Sequence, residues 1–270
     1  MNVAFHANSL GMDVRILSAV GDDALGKDLT AIIEDRGLST ACVQVHPRLR
    51  TGVVTVDTTD PSEVKYTIES PVAWDDIAPD AQVLRTMDDA TWLVFGSLAA
   101  RNPRSRTTLE NLLEGPGRKV FDMNLRAPFI DPDWICAQLP KVYLLKVNEE
   151  ELEELRGWLG LPQSPLECYN DLQKRFGLQY LCLTRGGHGA WFFTPSGLYQ
   201  SATYPIKVVN TVGAGDSFLA ALIAGLAQEA PYQEVLNRAS ALGALVAGSP
   251  GATPQIELAE IEAFMNANER

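Results

Sequence analysis

Residues 142–158 read VYLLKVNEEELEELRGW, and the change of character inside them decides the fold. Val142–Val147 is a strand run, and Asn148-Glu149-Glu150-Glu151 then opens an acidic helix that continues to about Trp158. The same rhythm extends to both sides. Upstream, Trp92–Phe95 reads as a buried strand, Leu109, Leu112 and Leu113 share one helix face, and Val120–Asp122 is a further strand. Downstream, Tyr180–Thr184 and Ala190–Phe193 flank a glycine turn, and three helices follow near Asp216–Gln228, Glu234–Gly248 and Glu257–Ala267. Such alternation predicts an α/β fold with a mostly parallel sheet covered by helices on both faces. Ligands of such sheets gather at the carboxyl ends of the strands.

Toward the N-terminus, Val14–Val20 reads as a strand ended by Gly21-Asp22-Asp23. Leu25, Leu29, Ile32 and Ile33 then keep helical spacing until Gly37. Cys42–Ile68 differs: Val43/Val45, Val53–Val56 and Val64–Ile68 are short β-runs separated by Pro47, Asp60-Pro61 and Ser62. They predict a small antiparallel appendage, and the residues leave open whether it serves function or is a plain surface hairpin.

The 270 residues and their 46% hydrophobic content suit one soluble domain, 1–270, with that appendage inserted at 42–70. No apolar run reaches the length of a membrane span, and the start lacks a basic, apolar leader, so a cytoplasmic location is expected. Acids outnumber bases 34 to 22, and a net charge of -12 repels nucleic acid. Cys42, Cys136, Cys168 and Cys182 form no Cys-x-x-Cys pair, and His6, His46 and His188 are scattered, which speaks against zinc.

Four segments carry polar chemistry. Asn210–Ile223, NTVGAGDSFLAALI, delivers Asp216 onto the first turn of an apolar helix behind Gly213-Ala214-Gly215. Backbone donors and the positive helix end there suit an anion, and the carboxylate suits a general base. A tight structural turn is the plainer alternative. Thr184-Arg185-Gly186-Gly187-His188-Gly189 opens the backbone to a ligand or simply makes a glycine-rich hairpin. Asn148–Glu151 offers acids at a helix start, which also suit the macrodipole. Asp122–Arg126 places a guanidinium just past a strand end, where Arg126 clamps a phosphate or pairs with a surface acid. A Walker P-loop, a dinucleotide fingerprint and a serine-hydrolase elbow are absent or incomplete.

With these segments in this order, the chain resembles the PfkB, or ribokinase-type, carbohydrate kinase family. Asn210–Ile223 matches that family's C-terminal signature. Thr184–Gly189 resembles its T-x-G-x-x-G turn, Asn148–Glu151 its N-x-x-E segment, and Asn2-Val3-Ala4 the tail of its glycine-glycine-x-x-Asn motif. Gly21-Asp22-Asp23, Thr51-Gly52, Gly96-Ser97-Leu98 and Asp122–Arg126 are most similar to the fructokinase-like branch.

The resemblance implies a three-layer α/β/α sandwich with a small β lid. It implies an ATP-dependent kinase acting on a sugar hydroxyl, with a ketohexose such as fructose as the leading substrate. Asp216 would be the base and a substrate contact, and Gly213, Ala214 and Gly215 the anion hole. Thr184, Gly186, Gly189, Asn148 and Ser240 would bind nucleotide, and Asn2 and Arg126 the substrate. Asn148 and Glu151 would organise Mg²⁺ through water, and residues 42–70 would be the lid, through which a homodimer is conceivable.

Two departures stand out. The chain begins at the end of the glycine-glycine-x-x-Asn motif, which implies either a shortened start or a natural protein with an incomplete sugar site. The second case would be a catalytically impaired nucleotide- or sugar-binding homologue. Asn210 stands where most members carry Asp, which weakens the expectation of K⁺ activation. A kinase for a sugar acid or nucleoside would share the same chemistry.

Overall fold

The computed structural model describes residues 1–57, 65–201 and 203–268. In chain order the elements are α1 (Asn2–Ser9), β1 (Ser18–Gly21), α2 (Ala24–Asp35), β2 (Val43–His46), β3 (Val54–Asp57), β4 (Lys65–Ile68) and α3 (Ala81–Asp89). There follow β5 (Trp92–Gly96), α4 (Pro103–Leu113), β6 (Arg118–Asp122), α5 (Pro132–Gln138), β7 (Leu144–Asn148), α6 (Glu149–Leu159) and α7 (Pro165–Phe176). The rest are β8 (Tyr180–Thr184), β9 (Ala190–Thr194), β10 (Gly197–Gln200), α8 (Ala214–Ala227), α9 (Tyr232–Ala247) and α10 (Leu258–Asn268). They form two compact units. One comprises Met1–Val14, Trp92–Ser97 and Arg118–Arg270, and the other Arg15–Thr91 and Leu98–Gly117.

The first unit is built on a six-stranded sheet ordered β10-β9-β8-β7-β6-β5. Strands β5 to β8 are parallel, whereas β9 and β10 run antiparallel at one edge. The expectation of a mostly parallel sheet therefore holds in its centre. The antiparallel edge follows from the short turns after β8 and β9, which are too short for a crossover helix.

Alternate residues face alternate sides. Val120, Leu144, Tyr180, Cys182, Ala190 and Phe192 pack with α8 and α9. Phe121, Leu145, Leu181 and Phe193 lie on the other parity and are buried, as are Ile135, Leu152, Leu155 and Leu172 of α5 to α7. The result is three layers. Helix α8 is apolar all round, AGDSFLAALIAGLA, and Ser217–Leu226 is buried throughout, as such a pattern requires. Each of Phe218, Leu219, Leu222, Ile223 and Leu226 contributes about 1.5–3 kcal/mol by leaving water.

In the second unit β1 and β2 form a parallel pair, and β3 and β4 an antiparallel hairpin. This corrects the reading of Val43/Val45: that run joins β1 and does not belong to an antiparallel appendage. Alternation marks a half-buried strand without naming its partner, which is why the pattern misled. Residues 58–64 of the expected lid lie outside the described residues. Asp23 caps α2, accepting from the Gly26 amide at 2.8 Å, and also holds Thr51 through its amide at 2.8 Å and its hydroxyl at 2.7 Å. Arg101 grips Asp75 with two bonds of 2.7 and 2.8 Å and stacks on Trp74.

Candidate active site

The start of α8 has no side-chain cap. Its N-cap is Gly213, at φ 86°, in the left-handed region that glycine tolerates best. A Cβ there would lie 2.4 Å from the Ala252 carbonyl oxygen, so both the torsion and the space require glycine. The Ala214 amide donates to Thr211 O at 3.2 Å and the Ser217 amide to Gly213 O at 2.8 Å. The Gly215 and Asp216 amides have no partner among the described residues. Of the expected donor trio, the Ala214 amide is engaged in the turn here while the Gly215 amide stays open, and Asp216 adds an open amide of its own. Helix geometry explains the shift, because the earliest amides can close the preceding turn while the next ones find no carbonyl in reach.

Asp216 is half-buried and Gly215 exposed. The Asp216 carboxylate accepts from Asn2 Nδ2 at 2.8 Å, which joins two expected site residues from opposite ends of the chain. Asn2 belongs to α1, a helix that the sequence did not announce. It packs along α8, with Phe5, His6 and Ala7 buried, and His6 Nε2 lies 3.0 Å from Ala252 O.

Asn148 and Thr184 are register neighbours at the ends of β7 and β8. The Asn148 side chain accepts from the Glu151 amide at 2.8 Å, and Glu151 Oε2 accepts from the Asn148 amide at 2.9 Å. That is a reciprocal capping box. The other Glu151 oxygen accepts from Leu125 N at 2.9 Å, which ties the exit of β6 to this cap. The Thr184–Gly189 turn is tight, with Gly186 at φ 53° and Gly189 at φ 81°. Its Arg185 pairs with Glu149 at 3.0 Å and lies over Trp191.

Ser240 Oγ, on α9, is buried without a hydrogen-bond partner among the described residues. One turn further on, Gly243 passes so close to α8 that a Cβ would lie 3.3 Å from Ala214 O. Arg126 is exposed and folds back onto Leu125 O at 2.8 Å. Among the described residues no group of three or more His, Cys, Asp or Glu is arranged to hold a metal ion. Among the described residues no helix is long and apolar enough to cross a membrane.

One residue was missed by the sequence reading. Lys146 pairs with Asp122 at 2.9 Å, and both are buried. Burial pushes the Lys146 ammonium toward losing its proton, but the Asp122 carboxylate outweighs it and raises the group above its usual value. Burial likewise raises Asp122, helped by the nearby Asp216 and Glu151 and opposed by Lys146. The pair keeps Lys146 charged, because a cation bonded to a carboxylate at 2.9 Å holds its proton. The signal was present in LLKVN (144–148), where a charge interrupts a buried run.

A separate cavity of about 560 Å³ lies at the opposite end of the strands, around Trp92, Arg118, Tyr143, Tyr180 and Tyr232. Nothing in its lining belongs to the Asp216 cluster.

Residues 1–258 match the description of the pfkB family carbohydrate kinase. The chain belongs to that family. As a pfkB member it is a sugar kinase, and its relatives are fructokinase-like. It is 27% identical to the probable fructokinase-4 of Arabidopsis thaliana over 290 residues, spanning 99% of this chain and 86% of that protein. It is 26% identical to the aminoimidazole riboside kinase of Salmonella typhimurium, spanning 93% of this chain and 81% of that one. The fold is similar to that of a fructokinase from Xylella fastidiosa solved with ATP bound, with a TM-score of 0.89 and 18% identity. That match covers 100% of this chain and 90% of the other. At that identity the likeness speaks for the fold alone.

Proposed function

We propose that the chain transfers the γ-phosphoryl of ATP to a hydroxyl of a ketohexose such as fructose. The observation that carries this reading is the start of α8, where a reachable carboxylate stands beside two unpartnered amides. Asp216 takes the proton as the sugar oxygen attacks phosphorus, a new O–P bond forms, and the bond to the ADP oxygen breaks. The amides of Gly213, Gly215 and Asp216 receive the charge on the transferring group, with Ala214 as part of the turn that aims them. Removing one such donor costs about 2.7–4 kcal/mol in well-studied cases.

Asn2 holds the base and meets sugar hydroxyls, and Arg126 swings from Leu125 to the substrate. Thr184, Gly186, Gly189 and Asn148 line the nucleotide phosphates. The unpartnered Ser240 hydroxyl is the adenine contact. Asn148 and Glu151 would hold Mg²⁺ through water, since the ion keeps much of its hydration shell, and it would neutralise charge on the ATP phosphates. Residues 42–70 act as the lid that excludes water from the reaction.

The test is ADP release measured with fructose, a riboside and a sugar acid, for the wild type and Asp216→Asn. A loss of roughly 10²–10⁴ in rate with the preferred acceptor is expected for the variant. Equal turnover would remove Asp216 as base, and preference for the riboside would move the substrate toward that of the Salmonella relative.

A further inference from the structure

We propose that Lys146 is the positioning charge of the α8 anion site, and that its pairing with Asp122 serves to hold it there. The proposal rests on the kinase reading of that site. Asp122 and Lys146 are register partners on β6 and β7, on the parity of the sheet that faces α8. The lysine is 6% exposed. One of its three N–H donors goes to Asp122 Oδ1 at 2.9 Å, and no second partner occurs among the described residues. The ammonium nitrogen would lie 3.5 Å from a Cβ built on Gly215. The buried cation thus abuts the backbone of the one residue whose amide is both open and exposed.

The surroundings make that charge necessary. Lys146 bonds Asp122 and abuts Gly215, the chain neighbour of Asp216, so carboxylates lie on both sides of it beside a region that must receive a triphosphate. Lys146 is the cation paired among them. A buried ion pair kept only for packing is replaceable by apolar groups of similar volume, often without loss of stability. What apolar groups cannot supply is positive potential behind the Gly215 amide, where negative charge is to be held. Lys146 does not reach the reacting atoms in this arrangement. It acts through the backbone it adjoins and through the field it sets there.

The experiment compares the wild type, Asp122→Glu and the double variant Asp122→Asn/Lys146→Met by melting, by kinetics and by calorimetric titration of Mg·ATP and of fructose. The double variant leaves no buried charge unpaired, so it should fold. Its kcat should fall roughly 10–100-fold and its ATP affinity several-fold, with fructose binding unchanged. Asp122→Glu keeps the carboxylate that holds the ammonium and should retain at least about a third of kcat. A double variant close to wild type in kcat and ATP affinity overturns the proposal. So does Asp122→Glu if it is as impaired as the double variant, and so does failure of both to fold, since the pair is then purely structural. Should the wild type phosphorylate no sugar, the kinase reading fails separately. The ATP affinities of the wild type and the double variant then still decide the role of Lys146.

Discussion

Helices α6 and α8 both carry acid in their first turn, yet they begin in opposite ways. At α6 the acid turns inward: Glu151 bonds the Asn148 amide and the Leu125 amide, while Asn148 bonds the Glu151 amide. At α8 no side chain caps the helix, its Gly213 entry is left-handed, and the Gly215 and Asp216 amides stay open. A missing cap forgoes about 1 kcal/mol. On the kinase reading proposed above, the α8 start keeps its amides for a ligand, whereas the α6 start spends its polar atoms on holding the exit of β6.

The largest expected effect breaks the open end. Gly213→Ala forces a Cβ toward Ala252 O and a left-handed torsion on alanine, so the donors shift. Turnover should fall about 100-fold with only a moderate drop in melting temperature. A variant that melts early but turns over normally would show that the geometry of this entry is structural.

The next effect sharpens the contrast at α6. Glu151→Gln keeps the shape but replaces one acceptor by a donor facing a backbone N–H. Stability should fall by about 1–3 kcal/mol, and more Mg²⁺ should be needed for half-maximal turnover. Lost stability with an unchanged Mg²⁺ requirement would leave Glu151 as a cap alone.

The smallest effect concerns another capped start, Asp23 at α2. Bonds from the Thr51 amide and hydroxyl and from the Gly26 amide hold its carboxyl below the usual range. A carboxyl with a lowered folded-state value contributes fully above its unfolded value of about 3.9, and the contribution is lost as pH falls through the folded value. Melting of the wild type and Asp23→Asn should differ by roughly 2–4 °C at pH 7 and converge below about pH 4. A gap that persists in acid would mean the carboxylate charge is not what matters.

Much of this was legible in the sequence. Period and punctuation located β5 to β9, α2, α4, α6 and the last three helices, and the glycine turn pointed straight at Asp216. Helix α1 was not legible, because Asn2–Ser9 is rich in residues of middling helix propensity and is held by packing on α8, a tertiary term. Helix α7 was overlooked although Pro165 at its start and Gly177, left-handed at its end, both announced it. At the site, spacing could say that Asn148 and Glu151 lie together. It could not say that their polar atoms face each other, nor that a strand lysine reaches Gly215, because both depend on side-chain direction across neighbouring elements.

The thiols carry one more consequence. Cys42, Cys168 and Cys182 are buried, and burial pushes Cys182, register partner of Lys146, up to about 12 even with that ammonium nearby. Cys136 alone keeps partial exposure, and burial together with Asp133 holds it protonated as well. The native protein is therefore a poor target for alkylating reagents, and a maleimide dye marks folded molecules at Cys136 if anywhere, while every denatured one offers four handles. Labelling stoichiometry reads the folded fraction directly.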